Sequence, residues 1–173
     1  GLTRNARDFL MVAERLAGPW RLICVDLRGR GESAHARDPM SYTPVTYVSD
    51  IEALLVDLDI DRFVAFGTSL GGLLTMLLSA IGPERIAGAL LNDIGPRLES
   101  GGLARIRTYV GKAQTWPTWL HAARALAEGH GQTYPDFALE DWIAMAKRLC
   151  RLTPAGRIVY DYDMRIAEPL RLP

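Results

Sequence analysis

One stretch near the middle of the chain constrains the fold more than any other. Residues 63–74 (FVAFGTSLGGLL) begin as a β-branched and aromatic run, turn at a serine between glycines, and continue as an apolar helix pattern. Residues 67–71 fit the G-x-S-x-G pattern, in which a sharp strand-to-helix turn exposes the serine hydroxyl. Side chains two residues either way from Ser69 are expected to collide with the neighbouring strand and helix. The stretch predicts a β–turn–α unit with Ser69 in a strained backbone conformation, although an ordinary glycine-rich turn has the same pattern.

Helix and strand patterns alternate through the first half of the chain. Apolar periodicity predicts a helix over residues 5–16 and a buried helix over 70–81. Residues 20–27 form an apolar run of the kind found in strands buried on both faces of a parallel sheet, and residues 86–91 are predicted as another apolar strand. A Thr-Pro pair begins another helix over 43–58, whose expected inward face is Val48, Ile51, Leu55 and Leu58. The alternation indicates a parallel sheet covered by helices.

The pattern changes after Pro96, where we expect the strands to stop. Three helical segments are predicted, at about 103–112, 116–128 and 139–152, with Gly, Pro and Thr between them. Three of the four tryptophans lie here: Trp116, Trp119 and Trp142. A helical insertion of this kind suits a lid whose tryptophans line a pocket. A helical subdomain with the tryptophans in its own core explains the pattern equally well.

Three motifs together resemble the α/β-hydrolase family. Residues 25–33 (VDLRGRGES) resemble its strand-end D-x-R-G-x-G-x-S signature, and residues 92–96 (NDIGP) resemble its passage from core to cap. Residues 1–3 resemble the tail of its His-Gly oxyanion motif. The resemblance covers essentially the whole chain, and the motifs occur in the family's order and spacing. It implies an α/β fold, a parallel sheet flanked by helices, with a helical cap after the strand that follows the nucleophile helix.

The resemblance also implies roles for four residues. Ser69 is similar in position to the nucleophile, and the backbone N–H groups of Leu70 and Leu2 to the two oxyanion donors. Each such donor typically contributes about 2.7–4 kcal/mol at the transition state. Asp93 follows the strand after the nucleophile helix, where some members place their acid. Capping or tethering the entrance to the lid is the commoner explanation for Asp93.

A general base for the serine is not identifiable in the sequence. A serine hydroxyl needs a histidine to take its proton, and in this family the acid and histidine usually follow the cap. His35 lies in a loop, His121 in a predicted cap helix and His130 in the loop after that helix. We therefore interpret these three histidines as surface or lid residues and expect the catalytic acid and histidine outside the chain.

The resemblance divides the chain into three parts. We expect a partial hydrolase core over residues 1–96, a helical cap or lid over 97–168 and the start of a return to the core over 169–173. The chain does not begin with methionine, and it ends where the cap would hand back to the core. We expect it to be the central part of a hydrolase.

Composition narrows the remaining possibilities. The net charge is zero and no apolar run is long enough to cross a bilayer, which argues against nucleic-acid and membrane partners. Cys24 and Cys150 lack metal or redox spacing, so we expect two buried free thiols, no metal and a cytoplasmic protein. Residues 29–34 match the G-x-G-x-x-A dinucleotide fingerprint, but the following residues remain loop instead of beginning a helix, so no cofactor is expected.

The leading functional hypothesis is acyl-enzyme hydrolysis of a small molecule, with Ser69 as nucleophile. A carboxylic ester or lactone of a small hydrophobic acid is the expected substrate. A carbon–carbon bond hydrolase of the same fold and a hydrolase-like binding protein without turnover remain as alternatives. The sequence does not predict the oligomeric state.

Overall fold

Two parallel strands joined by a helix form the centre of the fold. In the computed structural model, which describes residues 1–97 and 100–171, β1 (Phe63–Thr68) pairs in parallel with β2 (Ile86–Asn92). The connection is α3 (Leu70–Ile81), which packs on both strands. This arrangement is the β–α–β unit that the sequence predicts.

The helices before β1 follow the sequence pattern with one change. Helix α2 (Pro44–Asp57) begins where the Thr-Pro pair predicts, because the Thr43 hydroxyl accepts a hydrogen bond from the Thr46 N–H at 3.3 Å. Its buried residues are Tyr47, Val48 and Leu55. The helix predicted over residues 5–16 is instead a 3₁₀ turn (Ala6–Phe9) followed by α1 (Leu10–Leu16).

The strand expected at residues 20–27 is not present as a paired strand. The segment is extended, but in the described ranges it joins no ladder, and the parallel sheet has two strands. Trp20 is 57% exposed, and Leu22, Ile23, Val25 and Cys24 are exposed as well. The expectations of a buried strand and of a buried Cys24 are therefore wrong. An apolar run becomes a strand only where a neighbour pairs with its backbone and covers its side chains.

The region after residue 97 contains the three predicted helices and also strands. The helices are α4 (Ser100–Tyr109), α5 (Trp119–His130) and α6 (Leu139–Leu149). A small antiparallel sheet accompanies them in the order β3-β5-β4, built from Thr115–Trp116, Ile158–Tyr160 and Cys150–Leu152. The expectation that strands stop after Pro96 is therefore wrong. Strands of two or three residues are too short to show an alternating pattern.

Buried side chains form two clusters, which we name the first core and the second core. The first core consists of Tyr42, Tyr47, Val48, Leu74, Leu78, Val110, Tyr162, Ile166 and Ala167. The second core consists of Ala122, Ala123, Leu126, Trp142, Met145, Ala146, Leu149, Cys150 and Ile158. Tyr160 packs against both. Helices α5 and α6 thus have a core of their own, whereas the segment 162–167 packs with the first core.

The predicted domain boundaries remain predictions. Positions 98 and 99, near the start of the predicted cap, lie outside the described residues, as do positions 172 and 173 at the end of the predicted return. Within the described part, the second core supplies the packing that a separate cap would need.

Candidate active site

Ser69 lies on the turn between β1 and α3 in the backbone conformation that the motif predicts. Its φ of +51° is in the left-handed region, which non-glycine residues rarely adopt. The Ser69 N–H donates to the Asn92 carbonyl at 3.0 Å, and its own carbonyl accepts from the N–H of Gly72 at 2.9 Å. The turn is therefore fixed on one side by β2 and on the other by the first turn of α3.

The turn requires glycine at positions 67 and 72, whereas the motif predicts positions 67 and 71. A Cβ on Gly67 would lie 2.5 Å from the carbonyl oxygen of Gly71 and from the N atom of Gly72. A Cβ on Gly72 would overlap the Ile94 side chain, whereas a Cβ on Gly71 would meet no described atom within 4 Å beyond its chain neighbours and the backbone of its own helix. The predicted collision is confirmed for Gly67 and is wrong for Gly71, because the helix turns Gly72 toward Ile94 instead.

Ser69 and Asp93 lie at the same edge of the sheet. Because Thr68 is opposite Asn92 in the parallel ladder, the two residues each follow the last residue of neighbouring strands. Asp93 also has a positive φ, +54°, and it is exposed on the same cleft as Ser69. The carboxyl ends of parallel strands are where ligands bind in open α/β sheets. An acid role for Asp93 remains a prediction.

The two expected oxyanion donors belong to Leu70, the residue after the serine, and to Leu2, near the start of the chain. Leu70 is the first residue of α3, so its N–H is among the groups that a helix leaves without an intrahelical partner. Leu2 lines the same cleft as Ser69. The Leu2 carbonyl accepts a hydrogen bond of 2.9 Å from Nε of Arg30, which fixes this part of its backbone. Both positions are compatible with the predicted roles.

The cleft beside Ser69 has a volume of about 1120 Å³ and is walled largely by apolar and aromatic side chains. Its walls include Phe66, Leu90, Ile106, Tyr109, Tyr134, Tyr160 and Tyr162. Burial raises the pKa of Tyr160 to about 12, and its hydroxyl donates to Gln114 Oε1 at 3.2 Å. The sequence alone does not single out these tyrosines, because their positions on the cleft depend on the tertiary fold.

The structure places the three tryptophans in the helical region rather than on this cleft. Trp142 is buried in the second core, and Trp116 and Trp119 pack against that core. Other side chains line the cleft in the described part of the chain. Trp142 shares a helical face with Met145, Ala146 and Leu149, so the face that meets α5 carries it inward. Of the two explanations left open by the sequence, these positions agree with a core of the helical region's own.

The three histidines lie in three different environments. His35 Nδ1 is 3.7 Å from an oxygen of Asp163, and His121 Nδ1 is 2.8 Å from Oγ1 of Thr118, which caps α5. His130 is the last residue of α5 and lines the cleft that contains Ser69. The sequence places His130 in a loop after this helix, and its position on the cleft becomes evident only once α5 is seen to end there.

Metal binding and membrane spanning find no support in the described ranges. Residues 1–97 and 100–171 contain no group of three or more His, Cys, Asp or Glu side chains that could hold a metal ion. No helix in that part of the chain is long and apolar enough to cross a bilayer.

Comparison with known proteins identifies the family. A sequence model described as the alpha/beta hydrolase family matches residues 1–171. This chain belongs to the alpha/beta hydrolase family. The turn at Ser69 and the crossover from β1 to β2 are the parts of the fold on which the predicted chemistry depends.

Similar proteins carry hydrolase names. The chain is 34% identical to a 3-hydroxybutyrate-oligomer hydrolase of Cupriavidus necator, over 99% of the chain and 59% of that protein. It is 58% identical to an alpha/beta hydrolase of known structure from Novosphingobium aromaticivorans, with a TM-score of 0.96 over 100% of the chain and 61% of that protein. An E-2-(acetamidomethylene)succinate hydrolase, 22% identical, shares the fold with a TM-score of 0.83 over 99% of the chain and 63% of that protein. The chain thus spans less than two thirds of the length of these proteins.

Proposed function

We propose that the chain carries the nucleophile and oxyanion-binding part of a serine hydrolase that acts on a carboxylic ester or lactone. The observation that carries the proposal is the backbone of Ser69, whose φ of +51° holds it at the carboxyl end of β1 and on the wall of the cleft. A non-glycine residue in this conformation costs of order 1–3 kcal/mol, a cost typical of functional sites.

The geometry supports a two-step reaction. Ser69 Oγ attacks the substrate carbonyl while its proton passes to a general base, and the N–H groups of Leu70 and Leu2 stabilise the oxyanion that forms. The C–O bond to the alcohol then breaks, the alcohol takes up a proton, and an acyl-serine remains. Water adds to this ester and releases the acid. Asp93, one strand away, is the candidate for the acid that orients the base.

The substrate proposal rests on the cleft and on one relative. Apolar side chains such as Phe66 and Leu90 suit a small hydrophobic acyl group, and the Tyr160 oxygen, whose proton is donated to Gln114, suits a substrate hydroxyl that donates to it. The name of the Cupriavidus relative points in the same direction, toward esters of a short hydroxy acid. We therefore propose short hydroxy-acid esters as the first compounds to test, in a reducing, cytoplasmic setting consistent with two free cysteines.

One observation favours a second candidate, a binding protein without turnover. His35 and His121 are not among the side chains that line the cleft with Ser69, and His130, which does line it, lies on the helical region at the end of α5, so none of the three is assigned as a base for Ser69. Such a protein would use the same cleft to hold a small apolar ligand.

Covalent labelling separates the two candidates. The protein that contains this chain is purified at its full length and treated with a fluorophosphonate probe, and its intact mass is measured, with Ser69→Ala as the test variant. Ser49→Ala is the matched control, because Ser49 is an exposed serine on α2 whose hydroxyl bonds to the Val45 carbonyl.

We expect one adduct in the wild type and in Ser49→Ala and none in Ser69→Ala, with turnover of aryl esters lost in the same variant. An unlabelled but folded wild-type protein would contradict the hydrolase proposal and favour binding. An adduct retained in Ser69→Ala would assign the reactivity to another residue.

A further inference from the structure

Arg30 is a buried cation that contacts no carboxylate among the described residues. Its side chain is completely buried, and in the described part of the chain it forms no ion pair. The hydrogen bonds of its guanidinium go to neutral groups: the Leu2 carbonyl at 2.9 Å, the Arg28 carbonyl at 2.7 Å and the Tyr47 hydroxyl at 2.8 Å. Its Nη2 atom has no hydrogen-bond partner among the described residues.

Stability alone does not explain this arrangement. Burying a charge without an opposite charge is costly, and an unsatisfied buried donor adds to that cost. The rings of Tyr47 and Tyr42, whose centroids lie 4.9 Å and 5.7 Å from Cζ of Arg30, offset part of it by cation–π attraction. An apolar side chain of similar volume would avoid the cost altogether. The retained charge therefore requires another explanation.

The hydrogen bond from Arg30 Nε supplies an explanation, because its acceptor is the carbonyl of Leu2, whose N–H is a predicted oxyanion donor. The backbone around Arg30 is fixed, because the Arg30 N–H donates to the Leu27 carbonyl at 3.0 Å and the Gly31 N–H donates to the Asp161 carbonyl at 3.1 Å. The Leu2 side chain packs against the first core, and the nearest backbone hydrogen bond among the described residues joins the Arg4 N–H to the Gly1 carbonyl at 3.4 Å. The guanidinium adds a direct hydrogen bond from a rigid turn to the Leu2 carbonyl.

We infer that Arg30 is a positioning residue that holds the Leu2 backbone so that the Leu2 N–H faces the oxyanion formed at Ser69. Its uncompensated positive charge also favours negative charge in this part of the site. The inference rests on the proposed function, because the Leu2 N–H acts as an oxyanion donor only if Ser69 forms a tetrahedral intermediate. Arg30 itself touches the Leu2 carbonyl and is not assigned any contact with substrate.

Two variants of the same buried cluster test the inference through kinetics. Arg30→Met removes the Nε donor and the charge while keeping an unbranched side chain. Tyr47→Phe, the matched control, removes the hydroxyl that accepts from Nη1 and leaves the bond to Leu2 in place. We expect Arg30→Met to lower kcat about 10- to 100-fold with KM changed less than about threefold, since a displaced oxyanion donor weakens binding of the transition state alone. Tyr47→Phe should keep kcat within about threefold of wild type, because the oxyanion donor stays in position.

A second readout does not depend on turnover. In ¹⁵N-labelled protein, we expect the Leu2 amide resonance to shift and its hydrogen exchange to accelerate in Arg30→Met but not in Tyr47→Phe. If Arg30→Met does not fold, Arg30→Lys serves in its place, because it keeps the charge and lacks the guanidinium Nε. An unchanged Leu2 amide in a folded Arg30 variant, or equal kcat losses in the Arg30 and Tyr47 variants, would overturn the inference.

Results that refute the hydrolase proposal differ from results that refute the role of Arg30. Absence of turnover and of Ser69 labelling in the wild type would refute the hydrolase proposal, whereas the Leu2 amide would still report whether Arg30 positions this backbone. A Ser69 adduct with an unchanged Leu2 amide would refute only the role of Arg30.

Discussion

The turn at Ser69 and the second core are held in place by different kinds of constraint. At Ser69 the backbone itself is constrained: φ is +51°, a Cβ on Gly67 would meet backbone atoms, and the Ser69 N–H is bonded to β2. The second core depends on side-chain packing between two amphipathic helices, α5 and α6, with Trp142 among its buried residues. A backbone constraint permits few residue types, whereas a packing constraint permits many combinations of similar volume.

The two kinds of constraint predict different effects of mutation on stability and on reactivity. If chemistry depends on the backbone at Ser69, then damage to the second core should lower stability and leave the reactivity of the serine in place. If the two cores act as one unit through Tyr160, which packs against both, stability and reactivity should fall together. Truncation of Trp142 in the second core distinguishes these outcomes.

Trp142→Ala has the largest expected effect on stability. Trp142 is 6% exposed and packs edge-on against Phe137, with ring centroids 5.1 Å apart. Truncating a buried tryptophan costs about 3–5 kcal/mol in the free energy of unfolding. We expect urea unfolding followed by circular dichroism to show this loss, while fluorophosphonate labelling of Ser69 persists below the transition.

A second tryptophan provides the control for this experiment. Trp20 is 57% exposed, so Trp20→Ala should change the free energy of unfolding by less than about 0.5 kcal/mol. Loss of labelling in Trp142→Ala under conditions where the protein is folded would contradict the separation between the two cores.

Gly67→Ala should have a smaller effect on stability and a larger one on reactivity. Its methyl group would lie 2.5 Å from backbone atoms of Gly71 and Gly72, which cannot move without moving the start of α3. Overpacking of this kind costs about 1–3 kcal/mol, and we expect Ser69 labelling to slow strongly because the serine and the Leu70 N–H shift together. Thermal unfolding and labelling rates measure the two effects.

Gly71→Ala is the matched variant on the other side of the serine. No described atom lies within 4 Å of its Cβ position beyond its chain neighbours and the backbone of its own helix, and alanine is favoured over glycine inside a helix by about 1 kcal/mol. We expect unchanged or slightly raised stability with labelling retained. A loss as large as that of Gly67→Ala would show that the motif's second glycine is needed for a reason other than space.

The difference between backbone constraint and tertiary packing also explains which parts of the structure could be predicted from the sequence. The turn at Ser69, the cap at Thr43 and the β1–α3–β2 crossover are readable because local geometry restricts the residue types, as with the glycine at position 67. The two-residue strand Thr115–Trp116 has no period to detect, so it was missed. Its existence depends on pairing with residues 158–159, which are distant in sequence.

The candidate site shows the same limit. Ser69 and Leu70 are predicted site residues from one motif, whereas the positions of Tyr160 and His130 on the cleft and the contact of Arg30 with Leu2 depend on the tertiary fold. Arg30 occupies a variable position of the strand-end signature, and nothing in its neighbours along the chain indicates that its guanidinium reaches Leu2. The segment 20–27 illustrates the opposite error, since a strongly apolar sequence predicts a strand that has no partner among the described residues.

The smallest expected effect concerns pH and the contact of Asp163 with the first core. Asp163 accepts from the Tyr42 hydroxyl at 2.6 Å and from Arg165 Nη2 at 2.9 Å, and its N–H donates to the Gly29 carbonyl at 2.7 Å. Burial alone would raise the pKa of Asp163, but the hydrogen bonds from Arg165 and Tyr42 outweigh it and lower the pKa to about 2.

Because the folded-state pKa of Asp163 lies below its usual value of 3.8, the ionised carboxylate stabilises the fold at pH values above about 4. This contribution, on the order of 1 kcal/mol, should be lost as the pH falls from about 4 to 2. Urea midpoints measured across this range should fall less steeply in Asp163→Asn than in the wild type, while Asp57→Asn, at an exposed position on α2, should retain the wild-type slope. Equal slopes in wild type and Asp163→Asn would mean that the segment 162–167 is held on the first core by its apolar contacts alone, since Ile166 and Ala167 are buried there.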